Sequence, residues 1–113
     1  MDNQEIGFGK MTQEKEYLYL TLKKPQFAVT SSGEKKIEYR RLSKWIISRL
    51  ENKNYKFIKF TNGYGNDKPY FTCKFEGWKY SEGGVFQYSN GLKIDIHKGD
   101  IEIALGEIID IKK

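Results

Sequence analysis

The apolar residues of this chain come in short alternating runs cut apart by turn formers, and that pattern restricts the fold more than any other feature. Leu18, Leu20 and Leu22 alternate with Tyr17, Tyr19 and Thr21. Phe71, Cys73 and Phe75 alternate with Tyr70, Thr72, Lys74 and Glu76. Leu92, Ile94 and Ile96 alternate with Lys93, Asp95 and His97, and Ile101, Ile103 and Leu105 follow in the same period. A period of two sends every second side chain to one face, so each run reads as a half-buried strand. Residues 57–60 and 36–40 add two short strands, the second with Ile37 and Tyr39 on one face and Lys36, Glu38 and Arg40 on the other. Between the strands lie Asn62-Gly63-Tyr64-Gly65-Asn66-Asp67, residues 81–84, Asn90-Gly91 and Lys98-Gly99, all rich in turn formers. Gly106 marks a bulge or bend before residues 108–111.

Two early segments depart from this period. Pro25 stops the first strand and suits a helix N-terminus, which predicts a short helix over residues 26–31 closed by Gly33. Leu42, Trp45, Ile46, Arg49 and Leu50 fall on one helical stripe, away from Lys44, Ser48 and Glu51, and this places Trp45 in the core. The sum is about six or seven strands with one or two short helices: an α+β domain with a curled or barrel-like sheet. A length of 113 residues fits one such domain. Residues 1–16 are polar and aperiodic and read as a flexible tail, leaving residues 17–113 as the domain. The 17 aromatic residues compensate for a low aliphatic content, since each buried ring removes roughly 150–250 Å² from water. No apolar run approaches the length of a membrane-spanning helix, and residues 1–16 have no signal-like apolar stretch. One cysteine, Cys73, excludes an internal disulfide, so a cytoplasmic, reducing compartment is expected.

The charge is uneven. The whole chain carries 20 Lys+Arg against 15 Asp+Glu, a net of +5, and the excess lies in the first half. Between Lys23 and Lys56 there are 10 basic residues and 3 acidic ones. Such a block attracts polyanions, nucleic acid being the commonest.

Several chemistries find no support. A single His97 and a single Cys73, without CxxC or HxxxH spacing, do not make a zinc site, and no metal is expected. Asp95, Asp100, Glu102 and Asp110 on the last strands read as solvated carboxylates. Cys73, flanked by Phe71 and Phe75, reads as inert packing. Gly63-Tyr64-Gly65 lacks the helix and lysine of a phosphate loop, and no cofactor is expected.

What remains is Ser32-Gly33-Glu34-Lys35-Lys36-Ile37-Glu38-Tyr39-Arg40. Gly33, Lys35, Glu38 and Arg40 match the GxKxxExR motif, and the chain here resembles the ASCH domain family. The resemblance extends to an opening strand like residues 18–22, to Lys24-Pro25 with a short helix, and to a closing phrase like Leu105-Gly106-Glu107-Ile108-Ile109-Asp110-Ile111. It implies a PUA-like fold, a small partly closed β-barrel with a helix beside the motif, and a cleft between barrel and helix that takes RNA or a nucleotide. In one branch, the acetylcytidine amidohydrolases, the motif lysine acts as base with a threonine three residues on and a glutamate from another strand. Lys35 matches that lysine, but Glu38 stands at the threonine position. Glu76 and Glu82 are the candidates for the partner glutamate. A second branch is similar in fold and is reported as ribonuclease.

The same residues have a physical reading of their own. Lys35, just after a glycine turn, projects an ammonium into a groove, and Arg40 forks onto a phosphate or base edge. Glu38, between cations, is held ionised and orients Arg40, or it simply pairs with Arg40 or Lys36 across the strand face. Arg41, Lys44 and Arg49 add phosphate attraction. Tyr64, in its glycine-flanked loop, is the first choice for a base-stacking contact, ahead of Trp78. The expectation is therefore an RNA- or nucleotide-binding module whose ligand residues are Lys35, Glu38, Arg40, Arg41, Lys44 and Tyr64. The alternative is a small metal-independent hydrolase acting on RNA or an acylated nucleoside, with Lys35 and Glu38 as catalytic residues. A third class is a protein-interaction domain whose basic face meets an acidic partner.

Overall fold

Leu18, Leu20 and Leu22 are buried along one face of strand β2 (Tyr17–Leu22), as their alternation predicts. In this computed structural model residues 13, 14, 16–65 and 67–112 are described. Most of the expected tail lies outside them, although β1 (Gln13–Glu14) pairs in parallel with β4 (Lys53–Asn54). The other elements are α1 (Lys24–Ser31), β3 (Ile37–Arg40), α2 (Lys44–Leu50), β5 (Phe57–Asn62), β6 (Tyr70–Tyr80), β7 (Gly84–Gln87), β8 (Lys93–Ile96) and β9 (Ile101–Lys112).

The main sheet runs in the order β2-β5-β6-β9-β3. Strands β2 and β5 are parallel, joined through β3 and the two helices, and the remaining neighbours are antiparallel. The sheet curls into a half-barrel, so the architecture is α+β with a barrel-like sheet, a second small sheet and two helices. Bulges produce much of the bending. Between Cys73↔Ile108 and Phe75↔Leu105 the β9 side carries an extra residue, at the Gly106 expected to bend it. Between Phe75↔Leu105 and Trp78↔Ile103 the extra residue is on β6, at Gly77 with φ +104°. Each bulge adds local twist and turns the long β6–β9 ribbon across the core.

The core gathers the inward residues of β2, β5, β6 and β9 under the two helices, with Phe60 stacked on Phe71 at 4.9 Å between ring centres. Helix α1 starts two residues earlier than expected, with Pro25 in its first turn, and buries Phe27, Val29 and Thr30. Helix α2 is capped by Ser43, whose Oγ accepts from the Ile46 N–H at 3.1 Å. Here the structure corrects the sequence reading. Leu42 precedes the cap and is 54% exposed, and Trp45 is 49% exposed. A seven-residue helix has two turns, and the pair Ile46 and Leu50 suffices to anchor it. Trp45 is left on the flank, with the Arg49 guanidinium 5.2 Å over its ring.

The alternation pattern does not foreshadow strand β7. It pairs with β8 as a separate hairpin, and its Phe86 stacks on Tyr39 of β3 at 5.0 Å. Among the described residues no helix is long and apolar enough to cross a membrane.

Candidate functional site

The motif segment begins where α1 ends. Gly33 takes φ +88°, a left-handed conformation that favours glycine, and its N–H donates to Thr30 O. The chain then doubles back, and the Lys35 N–H donates to Val29 O at 3.0 Å. This reversal points the Lys35 side chain inward. The residue is 2% exposed, where the sequence suggested an ammonium projecting into a groove. Its Nζ donates to Glu38 Oε1 at 2.8 Å and to Ile37 O at 2.8 Å, and lies 5.6 Å from the Tyr39 ring centre.

Glu38 is equally buried, and its second oxygen, Oε2, accepts from Arg40 Nε at 2.6 Å. One carboxylate thus serves two cations. Burying a lone charge is prohibitive, and this mutual pairing is what makes the burial tolerable. Arg40 adds a third connection, because its Nη2 donates to Thr21 O at 2.8 Å. Thr21 is on β2 and Arg40 on β3, the two edges of the half-barrel. A guanidinium therefore spans the seam that a backbone ladder would close in a complete barrel.

The cluster faces two hollows. On one side Thr30, Gly33, Lys35 and Lys36 lie across a cleft of about 360 Å³ from Phe71, Cys73 and residues 105–108. This cleft runs between helix α1 and the sheet. Burial pushes the Cys73 thiol up to about 12, so the sulfur at its base stays protonated and inert. On the other side Arg40 lines a groove of about 420 Å³ with Tyr19, Trp45, Lys59 and Tyr64. The Gly63 N–H donates to Leu22 O, which brings the Tyr64 loop beside β2.

The turn between β7 and β8 is tied over the motif. Glu34 accepts from the Ser89 N–H at 2.7 Å and from Ser89 Oγ at 2.6 Å, which holds its carboxyl below the ordinary value. Asn90 Nδ2 donates to Pro25 O at 3.0 Å. Burial, with Glu102 and Tyr88 nearby, pushes the Tyr39 hydroxyl up to about 12. Tyr88 is raised too, by burial first and then by Glu38 and Glu34.

The residues singled out in the sequence divide accordingly. Lys35, Glu38 and Arg40 meet in one cluster, and Tyr64, 84% exposed, shares the groove of Arg40. Arg41 turns away to the β8–β9 turn, where it meets His97 Nδ1 and lies 3.5 Å from Asp100 Oδ2. Lys44 is exposed at the start of α2 and lines neither hollow. Glu76 rests on Gly106 and lines a separate hollow with Trp78, Lys79 and Glu102, and Glu82 is exposed. Neither glutamate lines the cleft at Lys35. Sequence reasoning missed Tyr19 and Lys59, which face each other in the β2–β5 register. Their signal was present in the outward positions of two alternating strands. Among the described residues no group of three or more His, Cys, Asp or Glu gathers as a metal site. Compared with protein-family models, curated proteins and solved structures, the chain matches none.

Proposed function

We propose that this chain is a PUA-like module of the ASCH type that binds RNA or a nucleotide. The reading rests above all on the Lys35–Glu38–Arg40 cluster, which sets a net positive charge between two open hollows. The exposed Lys36 faces the cleft beside α1, with the enclosed Lys35 at its wall, and Arg40 faces the groove that holds Tyr64. An anionic ligand with a planar base fits this combination of fixed cations and free aromatic surface. In this reading Arg41 and Lys44 contribute long-range attraction and make no direct contact with the ligand.

The hydrolase alternative places heavier demands on Lys35. A lysine acting as base must reach its substrate, and this Nζ is fully enclosed and bonded to the Glu38 carboxylate and the Ile37 carbonyl. The arrangement favours holding a ligand over turning one over.

Fluorescence anisotropy of labelled RNA and of a labelled nucleotide tests the reading. Binding should weaken steeply as salt rises, and Lys36→Ala should weaken it without lowering Tm. No affinity for either ligand at physiological salt would refute the proposal. Release of product from RNA or an acylated nucleoside with chelator present, abolished in Lys35→Met, would replace binding with hydrolysis.

A further inference from the structure

The groove of Arg40 does not end at Trp45. It continues along β2 into a second hollow of about 480 Å³, which shares Tyr19 and Trp45 and adds Tyr17, Arg49 and Lys53. The result is one track with an unusual lining. Arg40, Lys59, Arg49 and Lys53 supply four cations, and no carboxylate lines either part among the described residues. Tyr19 is 66% exposed, Trp45 49% and Tyr64 84%. Three large aromatics on one surface are not explained by packing, because the β2 residues that fill the core are Leu18, Leu20 and Leu22.

Local structure accounts for their presentation. Tyr17 and Tyr19 are successive outward positions of β2, and their rings stack with centres 5.9 Å apart and planes 22° from parallel. Tyr17 thereby buttresses one face of Tyr19, whose wide exposure leaves stacking surface free. Arg49 buttresses Trp45 in the same way from one turn along α2. Lys59, cross-strand from Tyr19, is held 4.1 Å over the Tyr70 ring. The platforms are therefore braced before any ligand arrives, which lowers the ordering cost of binding.

Resting on the nucleic-acid reading above, the geometry points to a single-stranded nucleic acid, several nucleotides long, as the occupant of this track. Bases stack in turn on Tyr64, Trp45 and Tyr19, and the phosphates between them run past Lys59, Arg40, Arg49 and Lys53. A duplex has no free base faces to offer these rings. An acidic peptide would use the cations and leave the rings idle. Stacking on aromatic faces is sequence-tolerant, so this surface selects strandedness and length over sequence.

The test is anisotropy titration of labelled U12, dT12 and a 12-base-pair duplex with the full chain, over a range of KCl. Tyr19→Ala and Trp45→Ala should each weaken U12 binding about 5- to 150-fold, with Tm unchanged because both side chains are exposed. Tyr80→Ala, an exposed tyrosine outside the track, should bind as wild type. Lys59→Ala should lower the slope of log K against log salt by about 0.7. U12 should quench tryptophan emission in the wild type and fail to do so in Trp45→Phe. Comparable binding of dT12 would make the occupant single strands of either sugar, and preference for U12 would make it RNA. If the wild type binds U12 and the Tyr19 and Trp45 variants bind it equally well, this proposal falls and the nucleic-acid reading stands. The proposal falls in the same way if only a mononucleotide binds, or if the 12-base-pair duplex binds as tightly as U12. Absence of binding to every nucleic acid and nucleotide overturns both.

Discussion

Replacing Glu38 by Gln removes one charge from the centre of the cluster and almost no volume. In the native protein the two carboxylate oxygens accept from Lys35 Nζ at 2.8 Å and Arg40 Nε at 2.6 Å. A glutamine amide offers one oxygen and one NH₂, so one of the two cations then faces a donor. Lys35 suffers most, because its side chain is fully enclosed and keeps only Ile37 O. Arg40 is 23% exposed and keeps Thr21 O, so water absorbs part of its loss. Stranding a buried charge costs about 3–5 kcal/mol, and in a domain of this size each kcal/mol moves Tm by about 4–8 °C. Glu38→Gln should therefore lower Tm by roughly 12–40 °C. Urea unfolding followed by circular dichroism should show a lower midpoint at constant slope. The double variant Lys35→Met/Glu38→Leu removes both buried charges and should regain most of the loss, since apolar side chains of similar volume often substitute for a buried pair at little cost. A single-variant loss below about 1 kcal/mol would refute the reasoning, as would a double variant no better than the single.

Other outcomes follow from particular contacts. Burial raises Asp100, but bonds from the His97 and Leu42 N–H groups and the nearby Arg41 outweigh it, and the carboxyl sits below its ordinary 3.8. Asp100 thus adds stability above that value and loses it as pH falls through its lower folded value. Asp100→Asn should cost about 1–2 kcal/mol at pH 7, a gap that closes in thermal melts below pH 3.8. Gly83→Ala should destabilise by about 2 kcal/mol or more, because φ is +87° and the new Cβ would lie 2.9 Å from the Lys98 backbone nitrogen. Gly106→Ala should cost less than about 1 kcal/mol, since its obstacle is the exposed end of Glu76, which can swing aside. Cys73 should react with a thiol reagent at pH 8 far more slowly than a free cysteine and at full speed in urea, because burial keeps it protonated.

The strands that bury one clean face were legible in the sequence. Residues 17–22 form β2 as the leucine alternation predicts, Lys98-Gly99 turns the chain, and the bend at Gly106 lies where β9 takes its extra residue. The cluster was legible as a set of residues but not as an arrangement. Period two groups Glu38 with Lys36 and Arg40 on one strand face, whereas Glu38 is the buried residue of β3 and Lys36 is exposed. That outcome depends on Lys35 reaching inward from the Gly33 turn and on β2 lying across the seam, both tertiary facts. Trp45 departs from its expected place for a related reason. Helical spacing marks a stripe, but the length of the helix decides how much of the stripe reaches the core.

The position of β9 sets the order in which this protein can assemble. It follows every other described strand in sequence yet lies between β6 and β3, so Ile37–Arg40 has no ladder partner until Ile101–Ala104 exists. During synthesis, the Lys35–Arg40 segment therefore waits for most of the domain to be made before it can dock. Pairings this distant in sequence are slow to form, because loop closure must precede the contacts that reward it. The charged cluster is thus among the last parts of the molecule to take shape. A nascent chain would present its basic segment unstructured to surrounding polyanions before the groove that orders it has been built.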